Sequence, residues 1–176
     1  MKTMMTPLAS IYTTSVMEHH HFNQTVTILQ QDGHNILKTM TSAEYKQALS
    51  LIKHCILATD LALFFSNKAE LNKILESGNY NIHDEHHRRL TQAILMTGCD
   101  LIASAKPWYI QTETVKVIFE EFYEQGDAER MNGRDPIPMM DRNKAHELPQ
   151  MQVGAHLRNA LPALFVAQQN GCIRLL

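Results

Sequence analysis

A chain of 176 residues suits one domain, and 44% hydrophobic against 19% charged residues excludes wholesale disorder. Lys and Arg number 16 against 18 Asp and Glu, a formal charge of −2 that gives no electrostatic footprint for nucleic acid or an anionic membrane. Three cysteines, at 55, 99 and 172, form no CxxC pair and no even disulfide framework, the pattern of reduced thiols. No apolar run reaches the ~18 residues of a transmembrane helix, and the opening MKTMMTPLAS lacks the apolar stretch of a secretory signal. The expected location is cytoplasmic, with no nucleic-acid partner and no membrane segment.

The long stretches between glycines and prolines read as helices. From Leu8 to Leu29 the apolar residues Ile11, Val16, Phe22, Val26 and Leu29 recur at roughly helical spacing, with Gly33 as a stop signal. Thr41 followed by Glu44 matches a capping box, and behind it Tyr45, Leu49, Ile52 and Ile56 hold a helical face to about Phe65. A shorter helix is predicted over Lys68 to Glu76, ending at Gly78. Asp84 or a neighbour starts a long one, with Leu90, Ile94, Thr97 and Leu101 along one side, stopping before Lys106-Pro107. Thr112 to Gln125 follows, stopped by Gly126-Asp127. Residues 132–140 read as loop, and a last helix starts near Pro149. No stretch alternates with period two, so the predicted class is all-α.

Three features carry chemistry. His19-His20-His21 follow Glu18, but consecutive helical residues point about 100° apart, so the three histidines cannot share one metal. Glu18 and His21, three apart, lie on one face. His83, His86 and His87, beside Arg88 and Arg89, read as a solvated face. Asp100 in MTGCDLIASA has small or apolar helical neighbours, a setting divided between a structural hydrogen bond and a ligand role; Asp60 in ATDLAL is similar. Gln152 in LPQMQVG offers a donor and an acceptor, suited to the polar edge of a heterocycle or to capping a backbone group. There is no GxSxG, P-loop, GxGxxG or HExxH segment.

Taken together, LASIYTTSVMEHHHFNQTVTIL, ILATDLALFF, LMTGCDLIASAKPW, FYEQGD, PIPMMDRNK and LPQMQVG resemble the catalytic domain of cyclic-nucleotide 3',5'-phosphodiesterases, on the branch with regulatory GAF domains. Within that branch, TSVMEHHHFNQTV and PIPMMDRNK look closest to the dual cAMP/cGMP type. The resemblance implies hydrolysis of cAMP or cGMP with two divalent ions, zinc and magnesium or manganese, that activate a bridging hydroxide. On it, Asp100 occupies the place of a metal-binding aspartate. Glu18, His21 and Thr59 match positions that hold waters around the second metal, Gln152 matches the reader of the purine edge, and Leu61, Ile118, Phe122, Met139 and Met151 match the apolar walls of the base pocket.

The family's HNxxHA-type and HDxxHxG-type motifs, which carry the other metal ligands and the general-acid histidine, do not occur in the sequence. Ala155 stands where the family places a base-clamping phenylalanine. The expected organisation is therefore residues 1–154 as the C-terminal part of a phosphodiesterase catalytic domain, incomplete at both ends, and 155–176 as a divergent tail. No catalytic general acid is expected within the chain, and alone it should turn over little or no substrate. The resemblance also implies a homodimer or pairing with a full-length phosphodiesterase, which leaves open a non-catalytic role in binding or regulating such a partner.

Overall fold

The computed structural model describes residues 7–102 and 106–155. Of the tail expected at 155–176, only Ala155, the last residue of α7, is among them. The described residues form α1 (Pro7–Ile11), α2 (Val16–Leu29), α3 (Ser42–Leu57), α4 (Leu61–Glu76), α5 (Glu85–Leu101), α6 (Trp108–Met131) and α7 (Leu148–Ala155), with two 3₁₀ segments, Pro138–Met140 and Arg142–Glu147. No strand occurs among the described residues, so the fold is all-α. Among them, too, no single helix is long and apolar enough to cross a membrane. The chain divides into two compact units, Met1–Thr97 and Gly98–Leu176.

Caps decide where the first unit's helices begin. Thr41 forms the predicted capping box: its hydroxyl accepts the Glu44 N–H at 3.3 Å, and the Glu44 carboxylate accepts the Thr41 N–H at 2.8 Å. These bonds to Thr41 hold the Glu44 carboxyl below the usual carboxylate range. Two predicted helices are broken. The stretch expected to run from Thr41 to about Phe65 stops at Leu57 and resumes at Leu61, because Asp60 adopts extended backbone and its Oδ1 accepts the Ala62 N–H at 2.9 Å. The resumed helix absorbs the separate Lys68–Glu76 helix. The stretch from Leu8 to Leu29 is likewise split, at Ser15, whose φ of 45° lies in the left-handed region.

The core of this unit follows helical periodicity. Leu90, Ala93, Ile94 and Thr97 form the buried face of α5; of the side predicted from Leu90, Ile94, Thr97 and Leu101, only Leu101 is half-buried, and Val16, Leu29, Phe64 and Leu71 are buried in the same unit. Thr97 is polar and buried because its hydroxyl is used: it donates to the Ala58 carbonyl at 2.9 Å and shares its proton with the Ala93 carbonyl at 3.1 Å. Ala58 caps the C-terminus of α3, where carbonyls lack helical partners. Thr97→Val keeps the shape and removes the donor. It is expected to cost ~1–3 kcal/mol by urea denaturation, and an unchanged midpoint would show that the Ala58 carbonyl needs no protein partner.

In the second unit, α6 runs through Gly126 to Met131, past the stop predicted there. Gly126 does not break the helix; a Cβ at that position would lie 1.8 Å from the Met140 carbonyl oxygen, so the glycine admits the returning chain. The helix ends at Met131, and Gly133 (φ 71°), seven residues after Gly126, closes it. There the Gly133 N–H bonds the Arg130 carbonyl at 2.9 Å and the Arg134 N–H bonds the Glu129 carbonyl at 3.0 Å, a Schellman closure. The stretch predicted as loop over 132–140 ends in the first 3₁₀ segment, which lies against α6, and α7 packs on the second.

Candidate functional site

The first unit carries four of the sequence-predicted site residues. Glu18 lies in the first turn of α2, where a carboxylate favours the positive end of the helix dipole. Glu18 is half-buried and His21 is exposed, on the same helix. Thr59 sits between α3 and α4, half-buried, its hydroxyl donating to the Ile56 carbonyl at 2.7 Å. Leu61 opens α4 and is half-buried. Of the three consecutive histidines none is buried. His19 donates from Nδ1 to the Ser15 carbonyl at 3.0 Å and stacks on Tyr12, centroids 5.3 Å apart; Asn23 in turn donates to the Tyr12 hydroxyl.

His83 and His86 are exposed, as a solvated face requires, and His86 donates to Glu70 at 2.8 Å. His87 departs from that reading: it is half-buried, stacks on Tyr80, and its Nδ1 accepts the Asn81 N–H at 3.1 Å. Asp84 caps α5 by accepting the His87 N–H at 3.0 Å, which holds its carboxyl low. Burial pushes the Cys55 thiol up, against a nucleophilic role.

The second unit carries the rest. Asp100, in the last turn of α5, is exposed despite its apolar sequence neighbours. Ile118 and Phe122 lie four residues apart on one face of α6; Ile118 is exposed, and Phe122 meets Phe119 edge-on at 5.5 Å. Met139 is exposed on the first 3₁₀ segment, next to the Met140 carbonyl that meets Gly126, and Met151 is half-buried on α7. Gln152 falls within α7, its side chain outside the described residues.

What seats the returning segment is a set of charge pairs that sequence reading missed. Arg130 donates to the buried Asp141 at 2.9 Å, and Asp141 also accepts the Asn143 N–H at 3.0 Å. Arg142 donates to Glu120 at 2.8 Å and to Asp127 at 3.1 Å while lying 5.3 Å from the Tyr123 ring. Only the Asp127–Arg142 pair joins two of the quoted motifs, FYEQGD and PIPMMDRNK; Arg130 and Glu120 lie outside them, and the partners are 11 to 22 residues apart.

The Arg130 guanidinium holds the Asp141 carboxyl below the usual carboxylate range, with help from the Asn143 N–H. Because the folded state depresses this group, its contribution to stability is complete above the unfolded value of ~3.9 and is lost as pH falls through the lower folded value. Acid titration followed by near-ultraviolet circular dichroism should therefore show loosening of the second unit that begins below about pH 4. Asp141→Asn should lower stability at neutral pH and flatten that acid limb. An identical acid profile in the variant would count against the pair.

A metal centre needs three or more converging ligands in most protein sites. Among the described residues no three His, Cys, Asp or Glu side chains come together that way. Taken alone, they do not fit the two-ion centre that the resemblance implies, and they offer no more than a share of its ligands.

Residues 1–167 match the family model of 3'5'-cyclic nucleotide phosphodiesterases, and the chain belongs to that family. It is 77% identical over 154 residues to a Caenorhabditis elegans protein named "Probable 3',5'-cyclic phosphodiesterase pde-5", covering 88% of this chain and 21% of that one. It is 41% identical over 149 residues to Drosophila melanogaster and Drosophila virilis proteins each named "cGMP-specific 3',5'-cyclic phosphodiesterase". Those alignments cover 84% of this chain, 13% of the first and 17% of the second. The chain thus spans about a fifth or less of the length of the curated relatives it matches.

Proposed function

We propose that these residues form the C-terminal part of the catalytic domain of a metal-dependent phosphodiesterase that hydrolyses 3',5'-cyclic nucleotides to 5'-nucleotides in cytoplasmic signalling. The observation that carries the reading is the family match over residues 1–167, which spans every site residue named above. The names of the Drosophila relatives support cGMP as a substrate; the motifs TSVMEHHHFNQTV and PIPMMDRNK support a site, on the GAF-bearing branch, that accepts cAMP as well. By the resemblance, Asp100 serves as a metal ligand, Glu18, His21 and Thr59 hold waters around the second ion, Gln152 reads the purine edge, and Leu61, Ile118, Phe122, Met139 and Met151 are apolar contacts of the base. The remaining ligands and the general acid come from the two motifs absent from these 176 residues. General acid–base help alone contributes ~10²–10⁴-fold, so the chain by itself is inactive.

The test is hydrolysis of cAMP and cGMP, with zinc and magnesium supplied, by the 176-residue chain and by a complete phosphodiesterase chain that contains it. The short chain should show no turnover and the complete one should hydrolyse cGMP. In the complete chain, Gln152→Ala should weaken nucleotide binding roughly 10- to 100-fold, the worth of one or two hydrogen bonds removed from an enclosed site. Turnover by the short chain would refute the need for the missing motifs, and unchanged binding in the variant would refute the role of Gln152. If instead the short chain merely changes the activity of a complete partner, its role is regulatory.

A further inference from the structure

Ser15 is the one non-glycine residue among those described whose φ is positive. L side chains rarely adopt this conformation, and it persists where surrounding contacts enforce it. Ser15 stands at the N-cap of α2, yet its side chain does not cap that helix. Its hydroxyl instead donates to Asp60 Oδ2 at 2.7 Å, across 45 positions of sequence. The other oxygen of Asp60 caps α4 through the Ala62 N–H at 2.9 Å. The Ser15 carbonyl meanwhile accepts both the backbone N–H of His19 at 2.9 Å and His19 Nδ1 at 3.0 Å. One hydroxyl–carboxylate bond therefore ties together the starts of two helices.

Those two starts carry residues of the proposed site. Glu18 lies three positions after Ser15, and Thr59 immediately precedes Asp60. Both are half-buried, and the Thr59 hydroxyl is bonded to the Ile56 carbonyl. We propose that Ser15 is a positioning residue, whose bond to Asp60 fixes the separation between Glu18 at the head of α2 and Thr59 at the head of α4. The inference rests on the reading of Glu18 and Thr59 as water-holding positions. It accounts for the left-handed serine: the backbone turn aims the hydroxyl at Asp60 instead of at the α2 N–H groups that an N-cap serine ordinarily bonds.

Two variants separate the bond from the backbone strain. Ser15→Gly accepts the left-handed φ at no steric cost and removes the donor. Ser15→Asn tolerates the same φ and keeps an N–H that can reach a carboxylate. In the 176-residue chain, amide hydrogen exchange at residues 16–19 and 59–62 should speed roughly tenfold in Ser15→Gly, the worth of one charge-assisted bond, and return toward wild type in Ser15→Asn. The Thr41–Glu44 cap of α3 should not change and serves as the internal reference. In the complete phosphodiesterase chain, Ser15→Gly should lower kcat roughly 10- to 100-fold, as loss of an outer-shell support does, with KM within about twofold. Ser15→Asn should recover most of kcat. Unchanged exchange in Ser15→Gly overturns the tie itself, and changed exchange with unchanged kcat overturns its positioning role. A wild-type complete chain that hydrolyses neither cyclic nucleotide overturns the reading beneath the proposal, and the exchange data then show a bond that serves the fold alone.

Discussion

Gly126→Ala is expected to unfold the second unit, although alanine is the better helix former by about 1 kcal/mol. The glycine lies inside α6, and an added Cβ would meet the Met140 carbonyl oxygen at 1.8 Å and its carbon at 2.8 Å. Ordinary carbon–oxygen approaches are about 3.3 Å or more, so the backbones would have to separate by over an ångström. The Met140 carbonyl has little room to yield. Its own N–H is bonded to Ile137 at 2.8 Å, and the next residue, Asp141, is held by Arg130 at 2.9 Å. Overpacking of this kind costs ~3 kcal/mol or more, a large share of the ~5–15 kcal/mol that holds a domain together. The check is a thermal melt followed by near-ultraviolet circular dichroism, beside Gly98→Ala as a control. Gly98 is also helical but has nothing within 4 Å of its Cβ direction, so alanine there should be neutral or stabilise by up to ~1 kcal/mol. Equal melts for the two variants would mean that Met140 does not approach Gly126.

These two glycines show what was legible in the sequence and what was not. The Thr41 cap and the buried stripe of α5 were readable because capping boxes and helical stripes are local patterns, spanning a few residues. Gly126-Asp127 carried the same local signal as a helix stop, and the reading failed because the reason for the glycine is a carbonyl 14 residues away (Met140 against Gly126). Asp60 misled in the opposite direction: ILATDLALFF keeps helical apolar spacing straight through the break. Its carboxylate starts α4 and is itself held by Ser15, which no window of local sequence contains. The candidate site residues were proposed from the resemblance of whole motifs and not from spacing, and among the described residues no three His, Cys, Asp or Glu side chains converge. The Arg130–Asp141 and Arg142–Glu120 pairs escaped both routes, being neither local nor part of the chemistry.

Asp100 separates fold from function most sharply. Its apolar sequence neighbours suggested a carboxylate that needed either a structural hydrogen bond or a metal, and it is exposed at the end of α5. A negative charge in the last turn of a helix faces the negative end of the dipole, and α5 has no basic residue in that turn to offset it. Asp100→Ala and Asp100→Asn are each expected to leave a cooperative urea transition, because the residue is exposed. Activity should respond quite differently. In the complete phosphodiesterase chain, both variants should lower kcat/KM at least ~100-fold, because loss of even an outer-shell partner of a metal costs 10–100-fold, and bound metal measured by mass spectrometry should fall with it. Asparagine decides between the two roles. It keeps the size and a hydrogen-bond acceptor but not the charge that binds a divalent ion, so a structural hydrogen bond would survive it and a ligand would not. Wild-type turnover and full metal content in Asp100→Asn would remove Asp100 from the metal site and leave a helix-end carboxylate with no part in the chemistry.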